Sequence, residues 1–233
     1  MGIVSKVIST VRKIDGIYTM LQGAVKKIDE VYVFVEGKRH LVFPESTLIY
    51  EKTTGGSYSF TVPDKYNYIM IEYAGACGGR RWNSDGAGIY ADGNGGKGSI
   101  KKENIKISNR TITGIIGVRP TQTYASEYLG GSGYNNGGNG AKHSVTVKYV
   151  SGGGGGGSTS VVVNGTTKEA SGGGGASWYT GAPLNIKAYG GKGGGQYGGA
   201  ELYSYGDGNN ATDPNQIGLN SGDGYVKIYG IAG

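Results

Sequence analysis

The chain has 233 residues, including 49 glycines, five prolines and one cysteine, and its formal net charge is +6. The low proline content and the missing Gly-X-Y period exclude collagen, and the single cysteine excludes an intrachain disulfide framework. A net charge this modest, without a dense basic patch, argues against nucleic-acid binding, and 19 tyrosines argue against low-complexity disorder, which is poor in aromatic residues.

The N-terminal segment "MGIVSKVISTVRK" predicts neither a secretory signal nor a lipid anchor. It has no apolar region with a cleavage pattern, and Lys6 stands where a myristoylation signal needs Ser or Thr. No apolar run approaches the roughly 20 residues of a membrane span. We therefore expect a protein that is made in a cytoplasm and is not inserted into a membrane.

The first region, residues 1–43, contains an internal repeat. The segment "VRKIDGIYTMLQGA" (11–24) aligns with "VKKIDEVYVFVEGK" (25–38) at a period of 14 residues. Each unit predicts a strand, an Asp-containing turn, a second strand and a Gly turn. Small β-hairpins that are apolar on both faces need something to pack against. We therefore expect this region to serve attachment to a larger assembly or oligomerisation.

A change of composition predicts a domain boundary. Residues 1–43 contain four of the 49 glycines, and the others lie between Gly55 and Gly233. We therefore predict a linker over residues 44–56 and a glycine-rich domain over residues 57–233.

Short β-strands are predicted along the second domain. Ile69, Ile71 and Tyr73 alternate with other residues and should share one face of a strand. Asn164 and Gly165, between alternating segments, are a strong β-hairpin signal. The predicted strands are Ser57–Pro63, Tyr68–Ala74, Ile105–Ser108, Thr111–Val118, Ser144–Val150, Ser160–Asn164, Thr166–Ala170, Leu184–Ala188 and Tyr225–Gly230.

Glycine-dense segments begin where several of these strands stop. They cover residues 75–79, 86–98, 130–140, 152–157, 172–175, 190–199 and 206–208. Polyglycine can form a polyproline II-type helix with three residues per turn, and only glycine lets such helices bond closely on several sides. We predict a bundle of polyglycine II helices rather than flexible loops, because so many adjacent loops would be open to proteolysis. The predicted fold class is mainly β, with this bundle in the C-terminal domain.

No catalytic, metal or cofactor signature is found in the sequence. The segment "GNGGKG" (93–98) fits a dinucleotide-binding pattern but does not open a helix. His40 and His143 lie in different regions, and "DGNNATD" (207–213) lacks the glycine and glutamate of a calcium loop. No Cys-His spacing suggests zinc. We expect a protein that is not an enzyme and that binds no cofactor.

Tyrosine and tryptophan are concentrated in predicted loops that are also rich in Ser, Asn and Gly. Antibody combining sites have this composition, because Tyr and Trp supply contact area at little entropic cost. The alternative is that several of these rings cap the ends of the glycine helices, and we expect both. The candidate receptor-binding residues are Trp82, Tyr90, Tyr124, Tyr128, Tyr134, Asn135, Asn136, Trp178, Tyr179, Tyr197, Tyr203 and Tyr205.

Six segments follow one another over residues 57–230: "FTVP", "IMIEYAGACGG", "TGIIGV", "GGGGGGSTSVVVNGTTKEASGGGGA", "GGKGGG" and "GDGYVKIYG". Their order resembles the glycine-rich domain of bacteriophage tail-fibre and adhesin proteins. Similar domains occur in an animal receptor kinase family. The chain departs from the phage pattern at Ala76 and Cys77, inside the first glycine segment, and in its long Tyr-rich insertions. The 14-residue repeat is similar to short β-repeats of other phage virion proteins.

The resemblance implies a virion structural protein, because in that family the domain lies at a fibre or appendage tip and contacts host receptors. We expect an adhesin that binds a host surface glycan or outer-surface protein and contacts other virion proteins through residues 1–43. A homo-oligomer such as a trimer is expected. The alternative is a capsid decoration or head-fibre protein with an assembly role, whose aromatic loops are buried against neighbours. A cellular adhesin or ice-binding protein would need a repeated Thr or small-residue face, which the sequence lacks.

Overall fold

The structure is a computed structural model, and its described residues are mainly β. They contain no helix, and the strand pairs described are antiparallel. The chain divides into two compact units, Met1–Glu45 together with Gly233, and Ser46–Ala232. The described residues are 17–21, 24–28, 31–35, 38–43, 46–84, 89–92, 94–120, 129–145, 148–179, 187–188, 190–195, 208–213 and 215–232.

Nineteen strands lie within the described residues. In chain order they are β1 (Ile17–Leu21), β2 (Ala24–Ile28), β3 (Val31–Val35), β4 (Lys38–Phe43), β5 (Ser46–Lys52), β6 (Gly56–Thr61), β7 (Tyr66–Ala74), β8 (Arg81–Ser84), β9 (Ile89–Asp92), β10 (Gly98–Lys106), β11 (Thr111–Ile116), β12 (Lys142–Val145), β13 (Lys148–Ser151), β14 (Thr159–Val163), β15 (Thr166–Ala170), β16 (Trp178–Tyr179), β17 (Lys187–Ala188), β18 (Gly218–Asn220) and β19 (Tyr225–Ala232).

The first unit contains two β-hairpins that follow the sequence repeat. β1 pairs with β2, and β3 pairs with β4. β1 begins at Ile17 and β3 begins 14 residues later, at Val31. β2 begins at Ala24 and β4 begins 14 residues later, at Lys38, so both hairpins follow the period of the repeat. In each hairpin the paired strands are those that flank the glycine of the repeat.

The second unit is built on two sheets packed face to face. One has the strand order β18-β10-β7-β19-β5 and the other has the order β15-β14-β11-β6. Ile69, Ile71 and Tyr73 share the inner face of β7 and are fully buried, which confirms the predicted alternation. They belong to one core cluster with inward side chains of β19, β6, β11 and β14. Side chains alternate along a strand, so each sheet presents an apolar face to the other.

A polar bridge joins the two sheets beside this core. The hydroxyl of Tyr73 donates a hydrogen bond to Oε1 of Glu103 on β10 at 2.7 Å. Lys168 on β15 pairs with Oε2 of the same carboxylate. Burial of Tyr73, together with its hydrogen bond to Glu103, raises the pKa of the Tyr73 hydroxyl. The bridge therefore contains a tyrosine that stays neutral at ordinary pH.

The hairpin predicted at Asn164 and Gly165 is confirmed. β14 pairs with β15 up to Val163 and Thr166, the residues that flank the turn. Asn164 and Gly165 have φ values of +50° and +74°. Positive φ at both central residues is the requirement of the two-residue turn that fits the twist of paired strands.

The structure differs from the sequence prediction in the segment 44–56, which was predicted as a linker. Most of that segment is β5, the edge strand of the five-stranded sheet, paired with β19. Tyr50 of β5 stacks on Phe60 of β6, with ring centroids 4.6 Å apart. β5 is polar and exposed along much of its length, as edge strands are, and this hides its period from sequence analysis.

Two other strand predictions also need correction. The segment predicted as one strand, Ser144–Val150, is divided between β12 and β13, which pair with each other as a hairpin. The strand predicted over Ile105–Ser108 is β10, which runs from Gly98 to Lys106. The consecutive charged residues Lys101, Lys102 and Glu103 break the alternation of apolar and polar residues and conceal its first part.

Candidate functional site

A layer of glycine-rich segments continues from the strands of the sandwich. Residues 152–158 form its central segment and are fully or nearly fully buried, as are residues 171–177. We call these residues and their bonded neighbours the glycine layer; it comprises 75–79, 94–97, 129–141, 152–158, 171–177, 190–195 and 208–211.

Backbone hydrogen bonds join the segments of the glycine layer with a three-residue repeat. Along the central segment every third N–H donates to the same neighbour; the pairs are Gly152 to Ala141, Gly155 to Gly138 and Ser158 to Asn135, at 2.9, 2.9 and 3.0 Å. Gly153 and Gly156 donate to a different neighbour, within residues 173–176. Donors in a strand alternate with a period of two, so the layer is bonded differently from a β-sheet.

The backbones of the layer are too close together for side chains between them. A Cβ built on Gly153, Gly154 or Gly155 would lie within 3.0 Å of a carbonyl oxygen, closer than real side chains approach. The three oxygens belong to Gly79, Leu129 and Lys192, respectively. They come from three different segments, so the central segment is enclosed on several sides.

One end of the glycine layer, the sandwich end, adjoins the β-sandwich. β7 stops at Ala74 and leads into Gly75, and β15 stops at Ala170 and leads into Ser171. β14 begins directly after Ser158. Several strands of the sandwich therefore continue without interruption into the layer.

The opposite end, the far end, is defined by hydrogen bonds that bring several segments to one level. The N–H of Gly152 donates to Ala141, that of Gly153 donates to Ala176 and that of Ala176 donates to Gly79, at 2.9, 2.9 and 3.1 Å. β8, β12 and β16 begin one or two residues after Gly79, Ala141 and Ala176, and β13 ends immediately before Gly152. Several strands outside the sandwich therefore leave the layer at the same end.

Four of the predicted receptor-binding residues belong to these far-end strands. Trp82 lies in β8 and Tyr90 in β9, within the sheet of order β12-β13-β8-β9. Trp178 and Tyr179 form β16, which pairs with β17. The sequence predicts loops at these four residues, but in the structure all four lie in strands. Aromatic residues favour strands, and the flanking Gly, Asn and Asp concealed this preference in the sequence.

Three other predicted residues lie at the sandwich end instead. The side chain of Tyr134 is 46% exposed. Asn135 donates from its backbone N–H to Oγ of Ser158 at 2.9 Å and from its side chain to Glu169 at 2.7 Å. Oδ1 of Asn136 accepts a hydrogen bond from the N–H of Gly133 at 3.0 Å. The structure thus gives both asparagines roles in holding this turn, at a distance from the strands of Trp82 and Trp178.

The remaining five predicted residues lie outside the described residues. They are Tyr124, Tyr128, Tyr197, Tyr203 and Tyr205.

Sequence reasoning missed a cavity of about 460 Å³ on the flank of the glycine layer. Arg80, Lys97 and Arg119 line it, together with the buried side chain of Cys77. Burial raises the pKa of the Cys77 thiol, and the positive charge of Arg119 partly opposes this shift. The cationic residues are far apart in the sequence, so no sequence motif indicates that they line one cavity.

The described part of the chain contains no group of three or more His, Cys, Asp and Glu residues that could hold a metal ion. It also contains no helix long and apolar enough to cross a membrane. No protein-family model matches the chain, and no curated protein matches its sequence.

Proposed function

We propose that this chain is a bacteriophage virion protein, a tail-fibre or appendage-tip adhesin that binds a host-cell surface receptor. The observation that carries the proposal is the arrangement of the far end, where β8, β12, β13 and β16 all adjoin one hydrogen-bonded layer. Trp82, Trp178 and Tyr179 belong to these strands. Tyr and Trp supply contact area with little loss of entropy on binding.

We further propose that the glycine layer is a stack of polyglycine II helices. The three-residue repeat of its donors matches the three residues per turn of that helix. An isolated helix of this type has no internal hydrogen bonds, so its backbone groups need partners on neighbouring segments. The carbonyl oxygens that crowd Gly153, Gly154 and Gly155 support such a stack, because three neighbours approach one segment.

This architecture suits recognition by variable segments. The backbone bonds of the layer join residues of the layer to each other, and the aromatic residues of the far-end strands take no part in them, so these strands can change in sequence without loss of those bonds. The mechanism is binding, with no covalent step and no cofactor. The ligand is a glycan or an outer-surface protein of the host.

Residues 1–43 form the attachment region of the proposed adhesin. Two-stranded hairpins such as β1–β2 and β3–β4 are marginally stable alone in water. Contacts with other virion proteins, or with copies of the same chain in an oligomer such as a trimer, would bury their apolar residues.

Binding of the fluorescently labelled full chain to a panel of bacterial strains tests the recognition function. We expect binding to some strains, and we expect the double variant Trp82→Ala, Trp178→Ala to bind at least about tenfold more weakly, since central aromatic anchors carry much of an interface's binding free energy. Tyr134→Ala, at the sandwich end, is the matched control and should bind as the unsubstituted chain does. Equal losses in both variants, or no binding to any strain, would contradict the proposal.

The position of the chain in purified particles provides a second test. An antibody raised against the far-end strands should label the tips of intact particles. Labelling that occurs only after the particles are disrupted would favour the decoration or head-fibre alternative, in which these segments are buried against neighbours.

A further inference from the structure

The cavity on the flank of the glycine layer has a strongly basic lining. Its cationic side chains are Arg80, Lys97 and Arg119, and none of the described lining residues is acidic. Arg80 and Lys97 are exposed, and the side chain of Arg119 is 48% exposed. A concave surface lined by charge of one sign attracts ligands of the opposite sign.

Backbone hydrogen bonds hold the walls of this cavity in place. Gly208 donates to Asn94 at 2.9 Å and Ala211 donates to Lys97 at 2.8 Å, which fixes one wall against the other. The N–H of Lys97 also donates to Oδ1 of Asn210 at 2.8 Å. At the floor, Cys77 donates to Gly222 at 2.9 Å. The site is therefore formed before any ligand binds, which lowers the entropic cost of binding.

Arg119 is oriented by a carboxylate. Its backbone N–H donates to Oδ1 of Asp223 at 2.9 Å, and its Nε lies 3.8 Å from the same oxygen. The long ion-pair distance and the exposure of both side chains make this a weak interaction. Asp223 thus positions Arg119 without occupying the whole guanidinium.

We propose that the cavity binds an anionic sugar, a hexose that carries a phosphate or a carboxylate. The three cationic residues would contact the anionic group through charge-assisted hydrogen bonds. Asn210 and Ser221, which also line the cavity, offer neutral hydrogen-bonding groups to sugar hydroxyls. A volume of about 460 Å³ lies within the usual range of small-molecule sites and exceeds what a bare anion needs.

The inference rests on the proposed host recognition only for the source of the sugar, which would be an acidic surface polysaccharide. Binding itself is a property of the cavity. The far-end strands and the cavity are therefore tested by separate measurements.

Isothermal titration of the full chain with glucose 6-phosphate, glucuronate and glucose tests the proposal. We expect both acidic sugars to bind at least about tenfold more tightly than glucose, because a hydrogen bond to a charged group contributes more than a neutral one. Inorganic phosphate should bind more weakly than glucose 6-phosphate. Equal affinity for glucose and glucose 6-phosphate, or for inorganic phosphate and glucose 6-phosphate, would overturn the assignment.

Charge-removing variants identify the residues that bind the ligand. Lys97→Gln and Arg119→Gln should each weaken glucose 6-phosphate binding by about tenfold, the effect of one lost charged partner. Lys102→Gln removes a positive charge from the exposed face of β10, outside the cavity, and should leave binding unchanged. Thermal unfolding of each variant checks that the fold is retained. An equal loss in Lys102→Gln would mean that only the overall charge matters, which contradicts a built site.

Cys77 reports on the cavity directly, because it is the only cysteine of the chain and lies among the lining residues. Saturating glucose 6-phosphate should slow the alkylation of Cys77 by iodoacetamide several-fold, whereas glucose should not. An unchanged rate under saturating ligand would place binding elsewhere and overturn the proposal. Sugar binding without binding to cells would instead leave the cavity assigned and remove the adhesin function.

Discussion

The sandwich and the glycine layer stabilise one compact unit in opposite ways. In the sandwich, large side chains such as Ile71 and Ile228 are fully buried between two sheets, and their removal from water is the main favourable contribution. In the layer, residues 152–157 have no side chains to bury, and carbonyl oxygens of neighbouring segments stand where side chains would be. Backbone hydrogen bonds between segments take the place of apolar packing.

Substitution by alanine should therefore destabilise both regions, but for opposite reasons. Alanine is too small at Ile71, where it leaves a cavity, and too large at Gly155, where its Cβ meets backbone atoms. Four experiments test this contrast between the sandwich and the glycine layer, and the largest effect is expected in the sandwich.

Ile71→Ala should lower the free energy of unfolding by about 4 kcal/mol, because a fully buried branched side chain is lost and the cavity closes only in part. Urea unfolding followed by circular dichroism measures this. Ile217→Ala, at a side chain that is 60% exposed, is the control and should stay within about 0.5 kcal/mol. A small effect at Ile71 would mean that the sandwich core is loosely packed.

Gly155→Ala should lower the free energy of unfolding by about 3 kcal/mol, because the new Cβ would meet the backbone of Lys192 and one of the two hydrogen-bonded segments must shift. Gly222→Ala is the matched control, since its nearest neighbour would be a side-chain oxygen at 3.8 Å. We expect a cost below about 1 kcal/mol there. If the two variants unfold alike, the central segment behaves as a flexible linker and the layer is not close-packed.

Raising the pH should weaken the sandwich through its buried tyrosines. Burial raises the pKa of Tyr73 and of Tyr58 above the ordinary value of 10.0. The unfolded chain therefore releases these protons first, so the stability is fully present below about pH 10 and falls above it, by at most about 1.4 kcal/mol per pH unit for each tyrosine.

Urea unfolding between about pH 8 and about pH 11 measures this loss. Tyr73→Phe should reduce the slope above about pH 10, and Ile217→Ala, which removes an exposed side chain that does not titrate, should leave the slope unchanged. The backbone groups of the glycine layer do not titrate, so equal slopes in all variants would show that the alkaline loss does not originate in the sandwich core.

Gly165→Ala should have the smallest effect, about 1 kcal/mol, because glycine serves a different purpose there. The φ of Gly165 is +74°, and a Cβ at this position would meet nothing within 4 Å. Gly165→Asn should cost less than Gly165→Ala, since asparagine tolerates positive φ. At Gly155 the order should reverse, because the larger asparagine crowds the neighbouring backbone more than alanine does. The same order at both positions would remove the distinction between glycine for space and glycine for φ.

Local patterns predicted much of the sandwich and little of the far end. The alternation of Ile69, Ile71 and Tyr73 and the turn at Asn164 and Gly165 depend on neighbours along the chain, and the structure has both. β5 escaped prediction because an edge strand buries only part of one face. β8 and β9 escaped because short aromatic strands between Gly and Asn residues have the composition of loops.

The sequence named candidate residues for the site but left their arrangement open. The sequence indicated Trp82, Trp178 and Tyr134 together, yet the first two lie in far-end strands and the third in a turn at the sandwich end. The basic cavity gave no signal at all, because Arg80, Lys97 and Arg119 line one cavity only when separate segments of the chain come together.

The sequence alone is enough to predict the β character, the 14-residue repeat and the positions where strands end in glycine. Each of these features depends on residues close along the chain. Tertiary structure alone decided which glycine segments are neighbours, which aromatic residues share an end and which cationic residues meet. Glycine has no side chain that could select one neighbouring glycine segment over another. The pairing of Gly155 with Gly138 is therefore set by the strands and turns that deliver both segments to the same layer.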